Sequence, residues 1–273
     1  MKIQKTAIKV GQYFFCHKAK SAAFSRVDLL TIIFLTVFLA GWYGFTHTGE
    51  PGRITRCAAN LATLGRAMHS YADEHEDTLP PAEIWLQKES SGWDTKIIPY
   101  LAKGSLDADN FERFSKVQRL FFCPSDPAPH NGVPRSYAMA ANDMSPENWP
   151  PGPTSATGVG LWWDGNTTPP LLGVDAKNNP DFLPGVKLSA LPAPADTLLL
   201  TEFIDPQNFM GNIFQTTVQG VVQQLSFFKG DAANFHYGKF NYLMADGHVE
   251  LLTPLQTGSP DNHAGIWTIM KGD

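Results

Sequence analysis

The longest apolar stretch lies near the start of the chain. Val27 to Phe45 is a nineteen-residue run whose polar interruptions are Asp28, Thr31 and Thr36. As a helix it would extend roughly 28 Å, about the thickness of a bilayer's hydrocarbon core. The pattern therefore predicts a transmembrane helix over 24–46, with Trp42 and Tyr43 at the outer interface. Gly49-Glu-Pro-Gly52 predicts a break after it. Beyond the break, Ile54, Cys57, Ala58, Leu61, Leu64, Gly65, Met68 and Tyr71 fall at the i, i+3, i+4, i+7 spacing of one helical face. This predicts an amphipathic helix over 53–78, closed by Pro80-Pro81.

The remainder, 79–273, reads as a globular α+β domain. Short helices are predicted within 85–101 and 111–122, and a loop-like stretch over 142–185 that is rich in Pro, Gly and Asn. Strand patterns concentrate late. Thr197 to Phe203 is one buried run, while Phe240–Ala245 and His248–Leu252 flank Asp246-Gly247, a tight hairpin turn.

Charge refines this picture. The net charge of −5 comes from 21 basic and 26 acidic side chains. Lys2, Lys5, Lys9, Lys18 and Lys20 all lie within residues 1–23, which contain no Asp or Glu. The rest of the chain is thus strongly acidic, a poor surface for a phosphate backbone, and no nucleic-acid partner is expected. Lysines ahead of an apolar run orient it with the N-terminus in the cytoplasm. The expected placement is a single-pass protein of the inner membrane, with the lipid bilayer as a partner and the C-terminal domain periplasmic. Of three cysteines, Cys16 lies in the basic leader, while Cys57 and Cys123 lie in the exported part, where a disulfide would persist.

The chain has no Gly-x-Ser-x-Gly turn, no Gly-rich phosphate loop and no dinucleotide fingerprint, so no catalytic residue is assigned and no enzyme is expected. His236, Asp246 and His248 offer two imidazoles and a carboxylate, a weak zinc set, against the simpler reading that they fix the hairpin and its packing. Glu202 and Asp205 form a carboxylate pair of the kind also common in solvated turns. Trp93, Trp149, Trp162 and Trp163 are candidates for a sugar-binding platform or for core filling.

Ala23-Phe-Ser-Arg-Val-Asp-Leu-Leu30 resembles the cleavage and methylation segment of type IV prepilins and type II secretion pseudopilins. Matched position by position, Ala23 precedes the cut, Phe24 becomes the methylated N-terminus, and Asp28 stands in for the family's glutamate. Ala23 replaces the usual Gly, and Arg26 occupies a position that is usually apolar. The second part of the resemblance is His236-x9-Asp246-Gly247, the C-terminal signature of a large planctomycete and verrucomicrobial pseudopilin-like group. In order before it come Cys57-Ala-Ala-Asn-Leu61, Phe122-Cys-Pro-Ser-Asp126, Ser136-Tyr137 and Asp196-Thr-Leu-Leu-Leu200.

The resemblance implies a pilin-like α+β fold: a long N-terminal helix, membrane-spanning in its first part, packed on a C-terminal antiparallel β-sheet with long loops. It implies a structural subunit of a type II secretion or pilus-like system. Its partners would be a prepilin peptidase and other pseudopilins or copies of itself. No cofactor is expected except calcium, which resembling pseudopilins hold in a C-terminal loop. Here Asp205, Asp231 and Asp246 are the available loop carboxylates, without EF-hand spacing. The alternative function is a membrane-stalked binding module, for instance for polysaccharide.

Overall fold

The computed structural model describes residues 25–47, 49–85, 90–101, 111–142, 158–164, 185–228, 234–258 and 265–269. Ala23, Phe24, the basic leader and Asp231 fall outside them. The chain divides into two compact units, Met1–His47 and Thr48–Asp273.

In the first unit, helix α1 spans Arg26–His47. Its start is a reciprocal capping arrangement: Asp28 N–H donates to Ser25 Oγ at 3.1 Å, and Asp28 Oδ2 accepts from Ser25 N–H at 3.0 Å. Two otherwise unpaired helix-end donors are thereby satisfied. Thr31 and Thr36 turn their hydroxyls back onto the carbonyls of Asp28 and Ile33, at 2.8 and 2.9 Å. From Val27 to Leu39, what α1 presents outward is therefore almost wholly apolar.

Even so, among the described residues no helix is long and apolar enough to cross a membrane. Arg26 and Asp28 occupy the first turn of α1, Thr31 and Thr36 interrupt its middle, and Gly41, Trp42, Tyr43, Gly44, Thr46 and His47 dilute its end. This finding overturns the transmembrane helix over 24–46 and the single-pass inner-membrane placement that rested on it.

The second unit begins with α2, Gly49–Glu74. Gly49 to Gly52 form its first turn rather than a break, because proline at the start of a helix forfeits only an N–H that has no intrahelical partner anyway. Its buried stripe, Cys57, Asn60, Leu61, Leu64, Gly65, Ala67, Met68, Tyr71 and Ala72, follows the predicted periodicity. At its C-terminus the chain turns through positive φ at Glu76 and Asp77, and Asp77 accepts a hydrogen bond from Ser189 N–H at 2.8 Å. The acidic end thus binds backbone.

The sheet is built from β1 (Glu83–Trp85), β2 (Ser91–Gly92), β3 (Tyr137–Asn142), β4 (Gly160–Asp164), β5 (Leu198–Glu202), β6 (Thr217–Val218), β7 (Phe240–Met244) and β8 (Val249–Leu252). Its order is β2-β1-β4-β3-β5-β7-β8, with β6 beside β3. The pairs β1–β4, β3–β4 and β3–β6 are parallel, while β3–β5, β5–β7 and β7–β8 are antiparallel. The class is α+β, but the sheet is mixed, and this corrects the expected antiparallel one. The physical reason lies in the connection from Asn142 to Gly160. A parallel neighbour needs a crossover of a dozen or more residues, and the 142–185 stretch supplies it before delivering β4. The pilin-like layout inferred from the resemblance, a membrane-spanning helix continued onto an antiparallel sheet, is not what the chain forms.

Helices α3 (Trp93–Leu101), α4 (Phe111–Leu120) and α5 (Val221–Leu225) complete the second unit. The buried face of α2 lies against β5, β7, β8 and α3. Gly65 permits the approach, since a Cβ there would come within 2.9 Å of Leu243 Cδ2 on β7. The core gathers Leu61, Leu64 and Met68 of α2 with Leu198, Leu200, Phe240, Tyr242 and Leu243 of the sheet, all fully buried.

Candidate functional site: a buried imidazole clamp beside a disulfide

Between the start of α2 and the sheet lies a polar cluster inside otherwise apolar surroundings. Its centre is His236, whose side chain is fully buried. His236 and Tyr237 both take left-handed backbone angles, φ 46 and 58, ahead of Gly238 at φ 77. For non-glycine residues that conformation costs about 1 kcal/mol or more and persists only where the surroundings hold it. Here the reversal drives the imidazole inward, against the ring of Phe235 at 4.1 Å.

Each ring nitrogen meets a carboxylate. Nδ1 is 2.7 Å from Glu50 Oε1, in the first turn of α2, and Nε2 is 3.0 Å from Glu202 Oε1, the last residue of β5. Glu202 is itself held by Asn241, whose backbone N–H donates to Oε2 at 2.7 Å and whose side-chain amide donates to Oε1 at 2.9 Å. Glu50 accepts a further bond from Ser125 Oγ at 2.7 Å and pairs through Oε2 with Arg53 at 3.0 Å.

Burial by itself would lower the His236 pKa, but the hydrogen bond and charge of Glu202, then those of Glu50, outweigh it and raise the value. Glu50 moves the other way. Burial would raise its pKa, yet the bonds from Ser125 and His236 and the charges of His236 and Arg53 hold it below the ordinary range. The arrangement is an imidazole clamped between two carboxylates, joining the start of α2 to the sheet.

Beside the clamp, Cys57 and Cys123 are joined as a disulfide with their Cα atoms 5.0 Å apart and a sequence separation of 66. Cys123 Sγ is 3.4 Å from His236 Nε2. The stretch around Cys123 is anchored in turn. Ser136 Oγ donates to Asp126 Oδ2 at 2.6 Å and accepts from Cys123 N–H at 3.0 Å, and His130 Nε2 sits 3.0 Å from the same Asp126 oxygen. Asn60 on α2 donates to the carbonyl of Phe122 at 3.0 Å, and Tyr137 OH reaches the carbonyl of Cys57 at 3.5 Å. The segments around Cys57, Cys123, Ser136 and His236, far apart in sequence, are thus brought together around one buried site.

The His236, Asp246 and His248 set divides. Asp246 and Gly247 form the turn between β7 and β8, with Gly247 at φ 96. His248 pairs with Asp246 at 2.6 Å in an exposed contact, apart from the buried clamp. Burial would lower the His248 pKa, but the hydrogen bonds and charges of Asp246 and Glu250 together outweigh it and raise the value. Asp205 spends its carboxylate on Gln207 N–H at 2.7 Å, while Glu202 faces His236, so the two do not act as a pair. Trp93 is core: it is fully buried, and its indole N–H donates to the carbonyl of Thr216 at 3.1 Å. Trp162 lies on β4, 41% exposed, and Trp149 falls outside the described residues.

Sequence reading missed Glu50 and Glu202 as partners of His236. A signal for Glu202 existed, since it is the one acid in the apolar run Leu198–Phe203, and a buried carboxylate needs a partner. Glu50 carried no such signal, sitting between Gly49 and Pro51 in what looks like a linker.

Chemically, the site combines two sulfurs, an imidazole and a carboxylate in a water-excluded pocket. Among the described residues, Cys57, Cys123, Glu202 and His236 are the group whose ligand atoms all lie within 4.8 Å of one another. Compared with family models, curated proteins and solved structures, the chain matches none.

Proposed function

We propose that the protein is a structural assembly subunit, in the manner of the pseudopilins its sequence resembles, and that it associates through α1 with copies of itself. The observation that carries this reading is the surface of α1. Val27, Leu29, Leu30, Ile32, Ile33, Phe34, Leu35, Val37, Phe38 and Leu39 are all exposed, from 44% at Ile32 to 72% at Phe34. They occupy every side of the helix. A helix apolar all round needs cover all round, and one flat partner surface would close only one side. Copies of the same helix offer a self-complementary answer, since each supplies what the others lack. Asp28, Thr31 and Thr36 already make hydrogen bonds within α1, so they leave no unpaired donor to oppose that packing.

On this reading the His236 clamp and the disulfide are architectural. They fix the start of α2 to the body, so that the chain entering α2 has a firm anchor. The test compares the full chain with a variant carrying Leu30→Gln, Phe34→Gln and Val37→Gln, which makes one face of α1 polar while keeping good helix formers. Chemical cross-linking and sedimentation should show oligomers of the unaltered chain and their loss in the variant. An unaltered chain that stays monomeric, or a variant that associates equally well, would refute the reading.

A further inference from the structure

We propose that, when the Cys57–Cys123 bond is reduced, the two thiolates, His236 Nε2 and Glu202 Oε1 form a four-ligand site for a zinc-class divalent cation. This goes beyond the assembly reading and does not depend on α1.

The donor set is the first argument. Two sulfurs, an imidazole nitrogen and a carboxylate oxygen match the borderline-soft chemistry of zinc, not the all-oxygen preference of calcium or magnesium. Geometry is the second. The four ligand atoms already lie within 4.8 Å of one another. Ligands around a tetrahedral zinc are separated by roughly 3.3–3.8 Å, from bond lengths of about 2.0–2.3 Å. Small side-chain adjustments bring them to that spacing once the sulfurs are free to part.

The third argument is the support around the ligands. A metal-bound histidine characteristically gives its other ring N–H to a carboxylate, which fixes the tautomer and the ring plane. Glu50 occupies that position at Nδ1, at 2.7 Å, while Nε2 faces both Cys123 and Glu202. Glu202 is oriented by the two Asn241 bonds. All four ligand side chains are buried, so water does not compete for the cation. Two thiolates and a carboxylate around a doubly charged ion leave little uncompensated charge inside the protein, whereas the thiolates alone would be costly there.

The chemistry balances with a phosphine as reductant. The S–S bond breaks, the phosphine takes the oxygen of one water to become its oxide, and that water's two protons convert the sulfurs to thiols. Cation binding then displaces both thiol protons, together with any proton on Nε2, while the proton on Nδ1 stays directed at Glu50.

Cobalt(II), which reports sulfur ligation by its near-ultraviolet charge-transfer absorption, is the probe, with zinc as competitor. The full chain is titrated in oxidised and phosphine-reduced forms, with far-ultraviolet circular dichroism alongside. The reduced chain should bind one cobalt with the sulfur band, and zinc should displace it. The oxidised chain should bind none. His236→Ala should lose about 100-fold or more in affinity, and Glu50→Gln about 10–100-fold with the sulfur band retained, since it positions the ring without touching the ion. Equal binding by the oxidised chain, a missing sulfur band, or unchanged affinity in His236→Ala overturns the proposal. So does a reduced chain that unfolds and is not refolded by zinc.

Discussion

Helices α1 and α2 are of similar length, 22 and 26 residues, yet they bury their apolar side chains in opposite ways. In α2 the large apolar residues share one stripe, and that stripe is spent on the sheet. The helix is then tied down by the Cys57–Cys123 bond, by Asn60 to the Phe122 carbonyl, and by Glu50 to His236. In α1 the apolar residues from Val27 to Leu39 face every direction and are exposed, and Asp28, Thr31 and Thr36 close on the helix itself. A stripe finds its cover within the chain; on the assembly reading proposed above, the all-round surface of α1 takes its cover from other copies. Substitutions in the α2 unit should therefore register as lost folding stability, and substitutions in α1 as lost association.

The largest effect on the folded unit should come from a fully buried ion pair, Arg135 with Asp94. Arg135 is fully buried, with Nη1 bonded to Asp94 at 2.5 Å, Nε to Asn208 Oδ1 at 2.7 Å, and Nη2 to the carbonyls of Asn212 and Gln215. Asp94→Ala leaves that guanidinium without its counter-charge and should cost about 3–5 kcal/mol, read from the urea midpoint. A loss below 1 kcal/mol would show that the neutral partners suffice. Next comes the disulfide. Cys57→Ala with Cys123→Ala opens a loop of 66 residues and should cost about 2–4 kcal/mol by the same measurement. If it costs nothing, the His236 clamp alone anchors α2.

Much of the contrast between the helices can be read from the chain. The 3.6-residue period of α2, its stripe, and the hairpin at Asp246-Gly247 follow from local patterns that tertiary packing did not override. The membrane span was misread because the count of apolar residues from Val27 to Phe45 concealed how polar and small residues thin both ends of α1. The mixed sheet was illegible, because periodicity marks strands but carries no information on which neighbour a strand joins or in which direction. Of the site, His236 was visible as part of a motif, but its partners were not. Glu50, Cys57, Cys123, Glu202 and His236 are separated by up to 186 residues and meet only through the packing of α2 on β5 and β7.

A smaller effect depends on pH. Burial would lower the His130 pKa, but the hydrogen bond and charge of Asp126 outweigh it, helped by the Asn208 backbone and the charge of Asp205, so the folded value is raised. A raised histidine stabilises the fold fully below its unfolded value of about 6.5, and the contribution fades as pH rises through the higher folded value. Asp126→Asn should remove this component. The gap in urea midpoint between the unaltered chain and the variant should narrow as pH is raised from mildly acidic to alkaline. A gap independent of pH would mean that Asp126 acts through its bonds from Ser136 and Ala128, not through His130.

The smallest effect on stability belongs to α1, and it bears most directly on the comparison. The Leu30→Gln, Phe34→Gln, Val37→Gln variant changes three side chains that are 65%, 72% and 68% exposed. Exposed positions of that kind usually move stability by no more than about 0.5 kcal/mol. Glutamine is a good helix former, so the helix itself should persist. At concentrations low enough to keep the chain monomeric, the urea midpoint of the Thr48–Asp273 unit should match that of the unaltered protein. At concentrations where the unaltered chain associates, its apparent stability should rise with concentration by mass action, while the variant's should not. A variant that is less stable by more than about 1.5 kcal/mol at high dilution would mean that α1 draws its cover from its own chain after all, and the distinction between the two helices would fall.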